Sequence, residues 1–318
     1  MAKHYYEYFS FCFLPLKMTH LSPRIIFLMS LSPLLWASNA VLGRMSVGIL
    51  SPITLNMFRW VFAALVLLPL GWRILKGNSP LWQQKKRFFL LGLFAVGCYN
   101  TFQYLSLQTS TPINVTLIAA SMPIWMMLIG AIFYDTQPQL RQLFGAFISI
   151  LGVVVVLSRG ELSSLLKIHL VVGDLFILFA TIIWAFYSWM LTKPGTSTER
   201  SWHWAEFLLA QVVFGLISSI VFSGMEAMTG TFQFEFNAWV LALLLYIAIG
   251  PSIIAYRCWG LGVQEAGPAV ASFFSNLTPV FAAIMSAVLL GEMPQLFHAA
   301  AFFLILIGIL VSSKIKWR

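Results

Sequence analysis

Four short groups of residues have the types and spacing for molecular recognition. Trp36 and Asn39, Tyr99 and Gln103, Trp184 with Tyr187 and Ser188, and Tyr256 with Trp259 each stand three or four residues apart. On a helix such pairs share one face. Asn100 with Tyr104, Ser252, and the set Ser272, Ser275, Asn276 and Pro279 follow the same pattern. Aromatic rings stack on apolar groups and attract cations. Amides orient a ligand by hydrogen bonds. This is binding chemistry. A proton relay through the membrane commonly uses a carboxylate or a histidine, and none of the four groups contains either.

The rest of the chain supplies no catalytic set. It has no phosphate-cradling glycine loop, no metal-spaced His/Glu motif and no nucleophile elbow. The three cysteines, Cys12, Cys98 and Cys258, lie far apart in apolar runs and read as small apolar fillers. The expectation is therefore a non-enzyme with no metal and no cofactor. Small polar residues also join helices to one another, so Ser272 and Ser275 are read evenly as packing or lining. Trp36, Tyr99, Trp184, Tyr256 and Asn276 lie deeper and are read as lining. Trp72, Trp82, Trp202, Trp204 and Trp317 fall near helix ends and read as interfacial belt residues.

The elements that must carry these residues follow from composition. Of 318 residues, 60% are hydrophobic and 9% charged, with a mean hydropathy of +0.87. Soluble domains carry about 25% charged residues. A soluble enzyme, a nucleic-acid-binding domain and a disordered regulator are all excluded on this ground. About 20 apolar residues cross a bilayer as a helix. Ten such runs occur, at 25–47, 52–72, 88–108, 113–134, 139–158, 173–192, 205–224, 238–259, 267–290 and 295–313. Spans three and four part at Thr109–Pro112, and spans nine and ten at Gly291–Pro294, both with proline at the turn. Pro123 and Pro279 are expected to kink spans four and nine. The fold class is thus an all-α integral membrane protein of ten helices.

The net charge of +9 records orientation. With the N-terminus in the cytoplasm, the inner side holds Lys3, Lys17, Arg24, Arg73, Lys76, Lys85, Lys86, Arg87, Arg141, Lys193, Arg200, Arg257, Lys314, Lys316 and Arg318, which is 15 of the 19 Lys and Arg. Arg44, Arg159 and Lys167 face outward, and Arg59 lies within span two. This is a positive-inside bias with both termini cytoplasmic. Lys85-Lys86-Arg87 reads as a loop facing anionic lipid. The expected partners are a small-molecule substrate and membrane lipid, with neither nucleic acid nor a required protein partner. Residues 1–24 form a leader. Its apolar stretch Tyr8–Leu16 is too short to span; a signal-like segment and an interfacial helix are two readings, and translation starting at Met18 is the preferred one. Residues 314–318 form a basic tail.

The two halves repeat. A shift of 156 residues places Pro112 on Pro268, Pro123 on Pro279, Pro138-Gln139-Leu140 on Pro294-Gln295-Leu296, Phe147 on Phe303 and Gly152 on Gly308. A shift of 148 places Trp36-Ala37 on Trp184-Ala185. Residues 25–158 and 173–313 thus read as two repeats of five helices. An odd number of helices inverts the second copy in the membrane, which is a transporter signature and the basis of alternating access. Spans one, three, four, six, eight and nine carry the polar residues. Spans two, five, seven and ten read as an outer set facing lipid or a partner protomer.

Charge inside the membrane is sparse. Asp174, Glu206 and Glu292 sit at helix ends, and His298 lies only a few residues into span ten. Without a mid-span carboxylate the expectation is facilitated diffusion or weak coupling. Arg59, two turns into span two, is expected to snorkel outward or meet a carbonyl, ahead of any contact with substrate. Arg44 is expected at the outer interface, with a gating or anion-binding role second.

The chain resembles the ten-helix EamA-type exporters of the drug/metabolite transporter superfamily. The resemblance covers residues 25–313 and rests on the two repeats, Trp36-Ala-Ser-Asn39 leading to Gly43-Arg44, Ser51-Pro52 followed by Arg59-Trp60, Leu290-Gly291-Glu292 and Gly308. The first half departs from the pattern, with Tyr134-Asp135-Thr136 where the second has Gly291-Glu292. The resemblance implies an inner-membrane carrier with cytoplasmic termini that moves amino acids, related metabolites or toxic organic compounds, usually outward. The aromatic set is similar to that of the YddG-like aromatic amino acid exporters. Expected substrate-binding residues are Trp36, Asn39, Tyr99, Gln103, Trp184, Tyr187, Tyr256 and Asn276. A carrier of phosphorylated sugars or nucleotide sugars is the alternative of the same architecture, and a non-transporting scaffold subunit the alternative of another class.

Overall fold

The computed structural model describes residues 21–46, 48–110, 112–158, 161, 171–235, 237–290 and 295–313. The Met18 start, the basic tail, Arg159, Lys167 and Gly291-Glu292 lie outside these, as does the side chain of Arg44.

Apolar helices dominate the described residues. They are α1 (Pro23–Met45), α2 (Pro52–Gly71), α3 (Lys85–Gly92), α4 (Tyr99–Thr109), α5 (Pro112–Ala119), α6 (Met122–Phe133), α7 (Leu140–Leu157), α8 (Val172–Met190), α9 (Trp204–Met228), α10 (Ala238–Ile247), α11 (Ala255–Ala266), α12 (Pro268–Ser275), α13 (Thr278–Leu290) and α14 (Leu296–Ser312). Eight helices or continuous helix chains are long and apolar enough to cross a bilayer. The fifth and tenth expected spans correspond to shorter apolar helices, Leu140–Val155 and Leu296–Ser312. At 1.5 Å per residue, 16 or 17 residues reach about 25 Å, somewhat less than a typical hydrocarbon core.

Proline and glycine set the boundaries as their chemistry dictates. Pro52, Pro80 and Pro268 open helical segments, where the missing N–H costs nothing. Gly267, at φ +85°, turns α11 directly into α12, so the eighth span runs on to Ala266 before reversing. Asp135 has φ +52° in the α6–α7 turn, a left-handed position that Asp tolerates better than most residues.

Four long elements are interrupted. Between α3 and α4, Leu93–Cys98 widens into a π-helix, and between α10 and α11, Ala248–Ile254 does the same. Pro251 lies inside the second segment and cannot donate to the helix ladder, which accounts for the widening there. The helices of the fourth and ninth expected spans break at Ala120-Ser121 and at Asn276-Leu277, just before Pro123 and Pro279. The kinks expected at the two prolines are therefore present. Both breaks, and the ends of both wide segments, are 156 residues apart.

The core runs through α1, α2, α8, α9 and α11. Helices α7 and α14 pair closely. A methyl group added at Gly145 would lie 2.7 Å from the Gly308 carbonyl oxygen, and one added at Gly308 would lie 2.8 Å from that of Gly145. Their far faces expose Leu140, Leu143, Phe144, Phe147, Leu296 and Phe303, as lipid contact requires.

Span two is not the purely outer helix expected. Leu65, Leu68 and Leu70 face outward, but Thr54, Asn56, Arg59 and Trp60 are buried on the opposite side. The aliphatic majority of α2 concealed a polar face one residue wide per turn.

Candidate functional site

Aromatic side chains from five helices meet at the centre. Trp36 of α1 stands edge-on to Trp184 of α8, with centroids 5.4 Å apart, and to Tyr256 of α11 at 6.3 Å. Trp184 also meets Tyr99 of α4 at 4.7 Å, Tyr187 at 5.0 Å, Tyr256 at 5.4 Å and Trp259 at 5.7 Å. Trp60 of α2 closes the group, 4.9 Å from Tyr256. The edge-to-face arrangement is the one that ring quadrupoles favour.

The wide helical segments anchor this cluster. A π turn lifts carbonyls out of the regular ladder and makes them available to side chains. The Trp36 indole donates to the Pro251 carbonyl at 3.3 Å. The Tyr256 hydroxyl donates to the Ala95 carbonyl at 2.8 Å. Ser252 Oγ donates to the Ile247 carbonyl at 2.9 Å, and Trp259 Nε1 donates to Ser188 Oγ at 3.1 Å.

Arg59 lies beside the rings and is 1% exposed. It does not snorkel, and the carbonyl it meets is a side-chain one, that of Asn100. Its Nε donates to Ser252 Oγ at 3.0 Å and its Nη1 to Asn100 Oδ1 at 3.5 Å, while the guanidinium lies 5.1 Å from the Trp60 ring centre. Two neutral side chains take those bonds because Ser252 and Asn100 reach it across α2 before its stem reaches either end of the helix. A charge at the bilayer centre costs about 2.5–3.5 kcal/mol on insertion scales.

The expected site residues divide into two groups. Trp36, Tyr99, Trp184, Tyr187 and Tyr256 come together in the cluster. Asn39, Gln103 and Asn276 are not hydrogen-bonded to it. Asn39 Oδ1 is buried without a partner among the described residues. Gln103 is half-buried on α4. Asn276, at the helix break, donates to Ser149 Oγ of α7 at 2.9 Å and so joins two helices. Ser272 and Ser275 bond to backbone carbonyls one turn back, at 2.7 and 2.6 Å, which is packing. Trp202, read as a belt residue, instead stacks on Phe88 at 5.2 Å.

Two tied ends flank the cluster. At the basic end, Arg87 grips Glu199 through two hydrogen bonds of 2.8 and 3.0 Å and also donates to the Met190 carbonyl. Gln84 adds a bond to Thr196 at 2.9 Å. At the opposite end, Glu226 of α9 caps α2, accepting from the amides of Ile53 and Thr54 at 3.1 and 2.8 Å and from the hydroxyls of Ser51 and Thr54. The positive end of the α2 dipole suits a carboxylate there. Leu50 and Phe234 form an isolated antiparallel bridge beside it. Asp174 binds the Val171 amide and the Ser110 hydroxyl, tying α4 to α8. The sequence reading missed Glu226 because it lies just past the apolar run, where an exposed loop is the default. Trp60 was missed because span two reads as aliphatic. Arg59 carried the clearest signal, a charge inside an apolar run.

A cleft of about 30 Å³ reaches the cluster between Tyr187, Gln211, Tyr256 and Arg257. That is room for a water or two and far below the size of a metabolite site. The rings are closed on one another in this conformation.

Known proteins give this geometry a context. The profile of the EamA-like transporter family matches residues 23–158 and again residues 171–314. An uncharacterised transporter of Archaeoglobus fulgidus is 26% identical over 292 residues, covering 90% of this chain and 96% of its own. The uncharacterised transporter YyaM of Bacillus subtilis is 24% identical, covering 86% and 88%. A probable amino-acid metabolite efflux pump of Salmonella typhimurium is 25% identical over 301 residues, covering 90% and 93%. One solved crystal structure shares the fold, with a TM-score of 0.70 at 18% identity over 91% of this chain and 96% of that one. The apolar helices and the family match together make this a multi-pass membrane protein, and the chain belongs to the EamA-like transporter family.

Proposed function

We propose that this transporter is a secondary carrier that exports small amphipathic metabolites, amino acids first and aromatic ones among them. The observation that carries this reading is the ring cluster of Trp36, Tyr99, Trp184, Tyr187 and Tyr256, drawn from four expected spans and pinned to two π-helical segments. Rings of this kind take up an apolar side chain or an ammonium group. The relative named as a probable amino-acid metabolite efflux pump supports the substrate class.

The mechanism is alternating access between two inverted five-helix repeats, residues 25–158 and 173–313. Three observations support it: the doubled family match, the paired π segments, and the paired helix breaks at the same 156-residue spacing. Both termini are cytoplasmic, and α7 and α14 complete the ten spans. In this reading the Arg87–Glu199 pair closes the cytoplasmic side and the Glu226 cap the outer side. Exchange of substrate requires one to open while the other holds.

Counterflow into proteoliposomes loaded with unlabelled amino acids tests the proposal. Saturable uptake of at least one labelled amino acid is expected. Its absence across the full set, with correctly folded protein, removes the reading.

A further inference from the structure

We propose that Arg59 is the anchor for a carboxylate on the transported molecule, which makes the substrate a monocarboxylate or zwitterion with an apolar or aromatic side chain. This inference rests on the carrier reading above and extends it from the rings to the charged end of the ligand.

Among the described residues no carboxylate lies within ion-pair distance of Arg59, although the residue is 1% exposed. Its two hydrogen-bond partners are neutral, and both are already engaged elsewhere. Ser252 Oγ donates to the Ile247 carbonyl. The Asn100 amide nitrogen is near the Ala95 carbonyl at 3.3 Å and the Tyr256 hydroxyl at 3.4 Å, so its oxygen is left to face Arg59. These partners orient the guanidinium without neutralising it. Nη2 makes no hydrogen bond among the described residues. A planar fork with free donors matches a carboxylate in two parallel bonds.

The neighbourhood is short of acceptors. The buried indole nitrogens of Trp60 and Trp184 have no partner among the described residues. Trp60 lies against the guanidinium and reaches Tyr256, which in turn meets Trp184 and Trp36. The cation and the rings therefore form one continuous surface. An oxyanion at Arg59 relieves the unpaired charge, and the attached side chain falls among the rings. A phosphate ester is a poorer match, because a dianion calls for more than one cation.

The test compares each transported amino acid with its own carboxamide, which removes the negative charge and keeps the shape. Equilibrium binding is measured calorimetrically on the purified full-length protein. The wild type is expected to favour the acid on the order of 10- to 100-fold, the range of a charge-assisted bidentate bond. Two variants follow. Arg59→Gln removes the anchor. Asn100→Asp keeps the anchor but places an internal carboxylate beside it to compete with the ligand, and it is expected to fold with an unchanged or higher Tm. In both, the preference is expected to fall to about 3-fold or less. If Arg59 only holds helices together, Asn100→Asp leaves the acid-to-amide ratio intact, and the proposal fails. If Arg59→Gln does not fold, Asn100→Asp alone decides. A wild type that transports amino acids yet binds acid and amide equally refutes the anchor and leaves the carrier standing. A wild type that neither binds nor transports any amino acid refutes both.

Discussion

The Tyr256 hydroxyl and the Ala95 carbonyl, 2.8 Å apart, join the two widened segments of the bundle. Ala95 lies within Leu93–Cys98, and Tyr256 follows Ala248–Ile254 by two residues. One hydrogen bond therefore spans two places where the helices depart from regularity. Tyr256→Phe keeps the ring and removes this bond. It should cost about 1–2 kcal/mol, the loss of one buried hydrogen bond, while Tyr256→Ala should cost about 3–5 kcal/mol because the ring packing goes as well. Thermal unfolding of the two variants in detergent measures the difference. A Tyr256→Phe variant as stable as the wild type would show that the hydroxyl contributes nothing, and equal losses in the two variants would show that the ring packing does not.

Trp184 touches five other rings and is 1% exposed. Trp184→Phe retains an aromatic ring with less reach. Apparent affinity in counterflow should weaken by about 3- to 10-fold, with the gel-filtration profile unchanged. A scaffold subunit would show no functional change.

Arg87 and Glu199 meet in a two-pronged pair that is mostly shielded, with side-chain exposures of 17% and 5%. Neutralising either partner should loosen the basic end. Arg87→Ala and Glu199→Gln should each raise modification of a cysteine placed at Gln211 by a membrane-permeant thiol reagent, in a protein otherwise free of cysteine. A double-mutant cycle on Tm should give a coupling of about 1–3 kcal/mol. A coupling near zero would mark the pair as ornamental.

Glu226 receives four hydrogen bonds from the start of α2 and its flanking serine. Glu226→Gln keeps the shape, loses the charge and turns one acceptor into a donor that faces amide hydrogens. A loss of about 1–3 kcal/mol is expected, with Ser51→Ala costing less. If Ser51→Ala is the worse of the two, the cap is not the source of stability.

Gly145 and Gly308 leave no room for a methyl group between α7 and α14. Gly308→Leu should lower Tm strongly, by the cost of overpacking, about 1–3 kcal/mol or more. In protein that still folds, the ligand preference set by the ring cluster should be unaltered. A changed preference would place this helix pair in the binding site.

Helix content and the two breaks at Pro123 and Pro279 were legible in the sequence, and the reasons are local. Apolar runs declare membrane helices because no other open structure satisfies the backbone in lipid. Pro123 and Pro279 declare breaks because their rings collide with the preceding turn. Five of the eight expected site residues met in space because the 3.6-residue period carries one face of a helix reliably. Asn276 instead binds Ser149 through its amide nitrogen, because only the neighbouring helix decides which partner such an amide takes. Arg59, Trp60 and Glu226 depended on partners some 40 to 195 residues away, in Asn100, Ser252, Tyr256 and the start of α2. No local pattern encodes such pairings. The widening of Leu93–Cys98 was equally silent, since that segment holds no proline.

The two π-helical segments have a mechanical consequence. A wide turn stores one residue more than an α turn. Passing that residue along the helix turns only the residues it passes, by about 100° each, and shifts them by about 1.5 Å, at the expense of very few backbone bonds. Each segment is thus a slip joint in an otherwise stiff rod, and both sit at the level of the rings. Tyr99 and Tyr256 lie just beyond these joints, so a shift of one residue in either would turn a ring out of the cluster while the ends of the rod stay where they are.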